Sequence, residues 1–177
     1  MRDRHAPFAQ AAGRVRSERL QGPYMRRFFR IAGVSLFTLL SLFFIAFGIL
    51  YASVRDLLWF HAAAVPSAAL DDVRPIYFAL MKLIGGAAGG LGLIGAYVAL
   101  FPVRGGNRLA AFSLSLAYAV PIIMAAIVAE ALAATTGAPT SWHIMGVLLG
   151  ATALALVAVI ASGKATNAGA GARGDRQ

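Results

Sequence analysis

The sequence contains no cysteine. That absence removes disulfide scaffolds, thiolate metal sites and thiol redox chemistry together. It also excludes the small four-helix membrane enzymes that handle disulfides and quinones through cysteine pairs. Charge is scarce as well: 13% of the 177 residues are Asp, Glu, Lys or Arg, against 59% hydrophobic. A soluble domain is about 25% charged and about 45–50% apolar. A chain this poor in polar surface cannot cover itself in water, so lipid is the expected solvent for much of it. Acidic residues are the rarest charge, 7 against 16 Lys and Arg, and none occurs between Asp72 and Glu130.

What the chain has in abundance is long apolar runs. Crossing a hydrocarbon core by helix takes about 20 mostly apolar residues. Four stretches meet this: 31–52, 76–101, 109–134 and 142–162. The expected fold is all-α, a four-transmembrane-helix antiparallel bundle over 31–162. A basic, flexible segment (1–30) precedes it and a disordered tail rich in Gly and Ala (163–177) follows. Met25 is an alternative to Met1 as the start of translation. Arg26-Arg27-Phe28-Phe29-Arg30 has the look of a twin-arginine export signal, but the apolar run after it exceeds the 7–15 residues of a cleaved signal.

The basic residues give the direction. Arg2, Arg4, Arg14, Arg16, Arg19, Arg26, Arg27 and Arg30 precede the first span. Arg104 and Arg108 lie in the loop between the second and third, and Lys164, Arg173 and Arg176 in the tail. The other side has only Arg55 and Arg74 in its loops. By the positive-inside rule both termini are expected in the cytoplasm and the protein in the cell (inner) membrane, multi-pass. No aromatic-interleaved nucleic-acid motif accompanies the arginines, so the basic charge reads as topology and nucleic acid is not an expected partner.

Gly90-x-Gly92-x-x-Gly95 has the spacing of a dinucleotide-binding turn, but that turn needs a preceding strand and a ribose-binding carboxylate about 20 residues on. Here the glycines sit inside an apolar run with no acid following. In lipid, small residues let helix backbones approach closely. Gly85, Gly86, Gly89, Gly90, Gly92 and Ala96 are therefore expected to form a helix-packing face. In the first span, Ser35, Thr38, Ser41, Ala46, Gly48 and Ala52 are expected to face the bundle. Leu36, Phe37, Leu40, Phe43, Phe44, Phe47 and Tyr51 are expected to face lipid. Pro121 is expected to kink the third span.

Ionisable residues inside spans draw functional attention. Lys82 and Glu130 fall at matched depth on consecutive helices, about 6–9 Å below the outer interface. They form a candidate intramembrane ion pair, read either as a structural latch, as separate side chains reaching for the interface, or as a binding or proton-handling site. His61 and His143, with Asp71, Asp72 and Glu130, could in principle ligate a metal or haem, but no spacing supports it, and no metal or cofactor is expected. Trp59, Trp142 and Tyr77 sit where interfacial aromatic anchors belong. Residues 55–60 are expected to form a short surface helix ended by Pro66, and Asp71-Asp72 to favour the start of the second span. Arg173-Gly174-Asp175 is read as coincidence.

The pieces LMKLIGG, FPVRGGNR and TGAPTSW together resemble small four-helix bacterial membrane proteins of the DoxX-like kind. The resemblance implies a multi-pass cytoplasmic-membrane protein and brings no activity or site residues with it. The expected role is a non-catalytic accessory or assembly component, with the bilayer and a second copy or another membrane protein as partners. A small oligomeric solute, ion or proton carrier using Lys82 and Glu130 is the alternative. A membrane cofactor or redox protein using His61 and His143 is the second.

Overall fold

The computed structural model describes residues 6–63, 65–137 and 142–163, with side chains from Tyr24 onward except Phe60. The expected disordered tail and most of the TGAPTSW loop therefore lie outside the described residues. The chain forms α1 (Ala6–Ala52), a single turn α2 (Trp59–Ala62), a 3-10 turn (Ser67–Ala69), α3 (Leu70–Val98), α4 (Arg108–Thr136) and α5 (His143–Ala161). Among the described residues there is no strand. α1, α3, α4 and α5 include four stretches long and apolar enough to cross a membrane: Tyr24–Ala52, Ser67–Val103, Arg108–Thr136 and His143–Ala161. Large apolar side chains cover the outside: Leu39 is 62% exposed, Ile49 63% and Val147 72%. That surface needs lipid, because burial of apolar area inside the bundle is too small to offset it in water.

Two boundaries differ from expectation. The basic segment expected to be flexible is helical from Ala6 and continuous with the first span, its Ala, Arg, Gln and Glu being good helix formers. α3 starts at Leu70 and runs through Pro75, so Asp71 and Asp72 lie in its first turn, where negative charge favours the helix dipole.

The turn between α3 and α4 shows how FPVRGGNR works. Pro102 has no N–H to donate and its ring crowds the preceding turn. Residues Ala99–Val103 widen into a π-helical segment, with the Arg104 amide donating to the Ala99 carbonyl at 3.1 Å. Gly106 then takes φ +91°, a left-handed conformation glycine adopts without Cβ strain. Asn107 caps α4, its side-chain oxygen accepting from the Ala110 amide at 3.0 Å. At the other end of α4, Gly137 closes the helix at φ 68°, the usual glycine termination.

α1 is the centre of the bundle, packing most extensively on α3 and next on α5, while α4 packs mainly on α5. The buried core combines Phe37, Leu40, Phe44, Ala99, Val103, Ala111, Leu114, Tyr118, Ile122, Ala155 and Val159. The expected division of the first span by residue size is corrected here. Phe37, Leu40 and Phe44 are buried, whereas Ser35 and Ala46 are exposed. Spacings of three and four residues put Phe37, Leu40, Ser41, Phe44 and Gly48 along one seam. Phe44 on that seam stacks on Tyr118 of α4, and the backbone at Ser41 and Gly48 faces α3.

Candidate functional site

The closest backbone approach is between α1 and α3, and glycine is its cause. A Cβ at Gly85 would come within 2.5 Å of the Ala52 amide and 2.6 Å of the Gly48 carbonyl. One at Gly48 would reach within 2.5 Å of the Gly89 amide, and one at Gly92 within 2.7 Å of the Ser41 carbonyl. Rising numbers along α1 thus meet falling numbers along α3. Of the expected packing face, Gly85 and Gly92 are buried in this seam, and Gly89 contributes its backbone. Ala96 is half-buried. Gly86 and Gly90 take no part: a Cβ on either meets nothing within 4 Å.

The interior holds a polar pair that sequence reasoning missed. Ser41 donates to its own helix, to the Phe37 carbonyl at 2.7 Å. Its oxygen therefore accepts the Tyr118 hydroxyl proton, across 2.6 Å between α1 and α4. The Tyr118 ring stacks on Phe44 with centroids 4.9 Å apart, and its hydroxyl occupies the space a Cβ at Gly95 of α3 would need. Three helices thus meet at one phenol. The legible signal was a tyrosine deep inside the third span, where a hydroxyl must find a partner. Thr38, Ser115 and Thr152 donate to the carbonyls four residues back, and no buried side-chain polar atom among the described residues lacks a partner.

This meeting point fixes a level in the bundle. At 1.5 Å per residue, Arg30, Arg104 and Arg108 lie about 15–18 Å from it on one side. By the same rise Lys82 and Glu130 lie about 15–18 Å from it on the other. A hydrocarbon core is about 30 Å thick. The Ser41–Tyr118 bond thus lies midway between two levels of charge whose separation is close to the thickness of such a core. Lys82 lies beyond the end of α1, because α3 outlasts it: Gly85 already faces Ala52, the last residue of α1. The expected Lys82–Glu130 pair is not formed. Both side chains are exposed, and the ion pair found among the described residues is Arg74–Asp71, at 3.9 Å. Lys82 lies about 140° round α3 from Gly95, the position that meets α4.

At the boundary opposite the arginines, the connector folds back onto α3. Tyr77, 8% exposed, accepts the Leu58 amide at 3.2 Å and sits 3.0 Å from Nδ1 of His61. The Tyr77 hydroxyl can donate to Nδ1 or accept from it, according to the imidazole tautomer. Burial holds the His61 pKa below its ordinary value. Tyr77, expected as an anchor, thus pins the connector, and the helix expected over residues 55–60 is the single turn α2. His143 stacks on Trp142 with centroids 4.7 Å apart. Among the described residues no group of three or more His, Asp or Glu side chains could hold a metal. α4 runs unbroken through Pro121.

Comparison with protein-family models, curated proteins and solved structures returns no match for this chain.

Proposed function

We propose that this protein is a multi-pass component of the bacterial cytoplasmic membrane, with both termini inside, four antiparallel spans and an accessory or assembly role without catalysis of its own. The observation that carries the reading is the Ser41–Tyr118–Gly95 junction inside the bundle. A carrier needs polar groups lining a path that opens to a solute. Here one interior hydroxyl pair, Ser41–Tyr118, joins two helices, and the other interior hydroxyls bond carbonyls of their own helix. The ionisable Lys82 and Glu130 are exposed. The face of α3 bearing Gly86 and Gly90 is left outside the bundle, where a membrane-protein partner or second copy would find close backbone approach.

Reconstitution into liposomes containing a pH-sensitive dye tests the role. The accessory reading expects proton and ion leakage no greater than in protein-free liposomes. Leakage that requires the protein and disappears in Lys82→Met or Glu130→Gln would establish the carrier instead. The inward position of the termini is tested by a phosphatase reporter fused after Gln177, which should stay inactive.

A further inference from the structure

Five arginines gather at one end of the bundle. Arg26, Arg27 and Arg30 are exposed on α1, and Arg104 and Arg108 on the α3–α4 turn. They come from separate parts of the sequence, and packing brings them to one level. Ser41 facing Gly92 sets α1 against α3, and the Ser41–Tyr118 bond sets α4 against α1. Counting back along each helix returns Arg30, Arg104 and Arg108 to the same height, with Arg26 and Arg27 about one turn beyond. Independent contacts agree. α1 touches the π-helical segment that leads into Arg104. A Cβ at Gly163, just past α5, would run into the Arg108 guanidinium, and Gly33 near the start of the first span packs on Val159 of α5.

None of these five arginines has an ion pair among the described residues. The sequence contains no acidic residue from Arg19 to Arg55 or from Val73 to Ala129, so the collar has no neighbouring carboxylate along either stretch. α4 begins at the same level with no acid in its first turn, leaving the positive end of its dipole uncompensated. Like charges held together repel unless an anion joins them. At the edge of a hydrocarbon core the anions at hand are lipid phosphates. We infer that the Arg26, Arg27, Arg30, Arg104 and Arg108 collar binds the headgroup of an anionic phospholipid, with Arg30 and Arg104 at its centre and Arg108 flanked by α5.

The inference rests on the membrane-spanning reading above and is independent of the accessory role. Its test is native mass spectrometry of the full chain released from micelles doped with phosphatidylglycerol, phosphatidylcholine or inorganic phosphate. Phosphatidylglycerol should be retained in preference to phosphatidylcholine. Arg30→Gln with Arg104→Gln should weaken that retention about fivefold per arginine removed, and Arg26→Gln with Arg27→Gln should weaken it further. Circular dichroism of each variant should show unchanged helix, since these side chains are exposed. Equal retention of the two lipids, or a preference that survives in the fourfold variant, overturns the inference. Phosphate bound as well as phosphatidylglycerol overturns the lipid assignment. A chain that remains dispersed without any detergent refutes the membrane reading itself, a result distinct from equal lipid retention.

Discussion

Adding one methyl group at either of two adjacent glycines should have opposite effects. Gly86→Ala places its Cβ in open space. Replacing a mid-helix glycine by alanine there removes backbone freedom from the unfolded chain and should stabilise by about 0.5–1 kcal/mol. Gly85→Ala places the same atom 2.5 Å from the Ala52 amide and 2.6 Å from the Gly48 carbonyl. Both obstacles are backbone, so no rotamer change relieves them. α1 and α3 must separate by about 1 Å to restore ordinary contact. That separation also loosens the Gly48–Gly89 and Gly92–Ser41 approaches, which lie on the same seam. Overpacking of this kind costs about 1–3 kcal/mol, which leaves the two variants about 1.5–4 kcal/mol apart. Unfolding in mixed micelles of rising dodecyl sulfate fraction, followed by far-ultraviolet circular dichroism, measures the difference. Should Gly85→Ala prove as stable as Gly86→Ala, the backbone seam is not what joins α1 to α3, and the account of the fold fails with it.

Three further outcomes are open to measurement. Tyr118→Phe should cost about 0.6–1.5 kcal/mol, one interhelical hydrogen bond, and should partly rescue Gly95→Ala, whose new Cβ collides with the hydroxyl; a double-mutant cycle in the same unfolding assay reads the coupling. His61 is held below its ordinary pKa by burial, so the unfolded chain takes up the proton first as pH falls. Stability should therefore decline from about pH 6.5 downward through the lower folded value, and His61→Gln should flatten that decline in unfolding midpoints taken between pH 8 and pH 5. Lys82→Met and Glu130→Gln should each change stability by no more than about 0.5 kcal/mol. Their double variant should show no coupling, and a coupling of 1 kcal/mol or more would reinstate the pair.

The number of apolar helices and the limits of the last two were legible in the sequence because length and composition set them, and the turn between α3 and α4 was legible as a basic loop. The glycine seam was half legible. Periodicity puts small residues on α3, but which of Gly85 and Gly86 faces α1 depends on where α1 lies. The inner face of the first span was misjudged because sorting by size assumes a uniform neighbour. α1 meets the α3 backbone along one side. Its other inward side faces Tyr118 of α4 and the small buried residues of α5, where Phe37 and Phe44 find room beside Ser41. Where Lys82 stands relative to the end of α1 was not legible, because a run of apolar residues does not show where its partner helix stops. The Ser41–Tyr118 bond, 77 residues apart in sequence, had no local pattern to announce it. His61 and Tyr77 are closer in the chain, yet only the return of the connector joins them.

Gly33 and Val159 carry a consequence for how the molecule is made. The notch on α1 is occupied by a helix that leaves the ribosome after all the others, so closure waits on synthesis of α5. Until then α1 and α3 must endure in the bilayer as a hairpin, clasped along a line of glycines that needs no help from later segments. The earliest pair is the most intimate, and the last arrival supplies most of the packing that joins α4 to the rest.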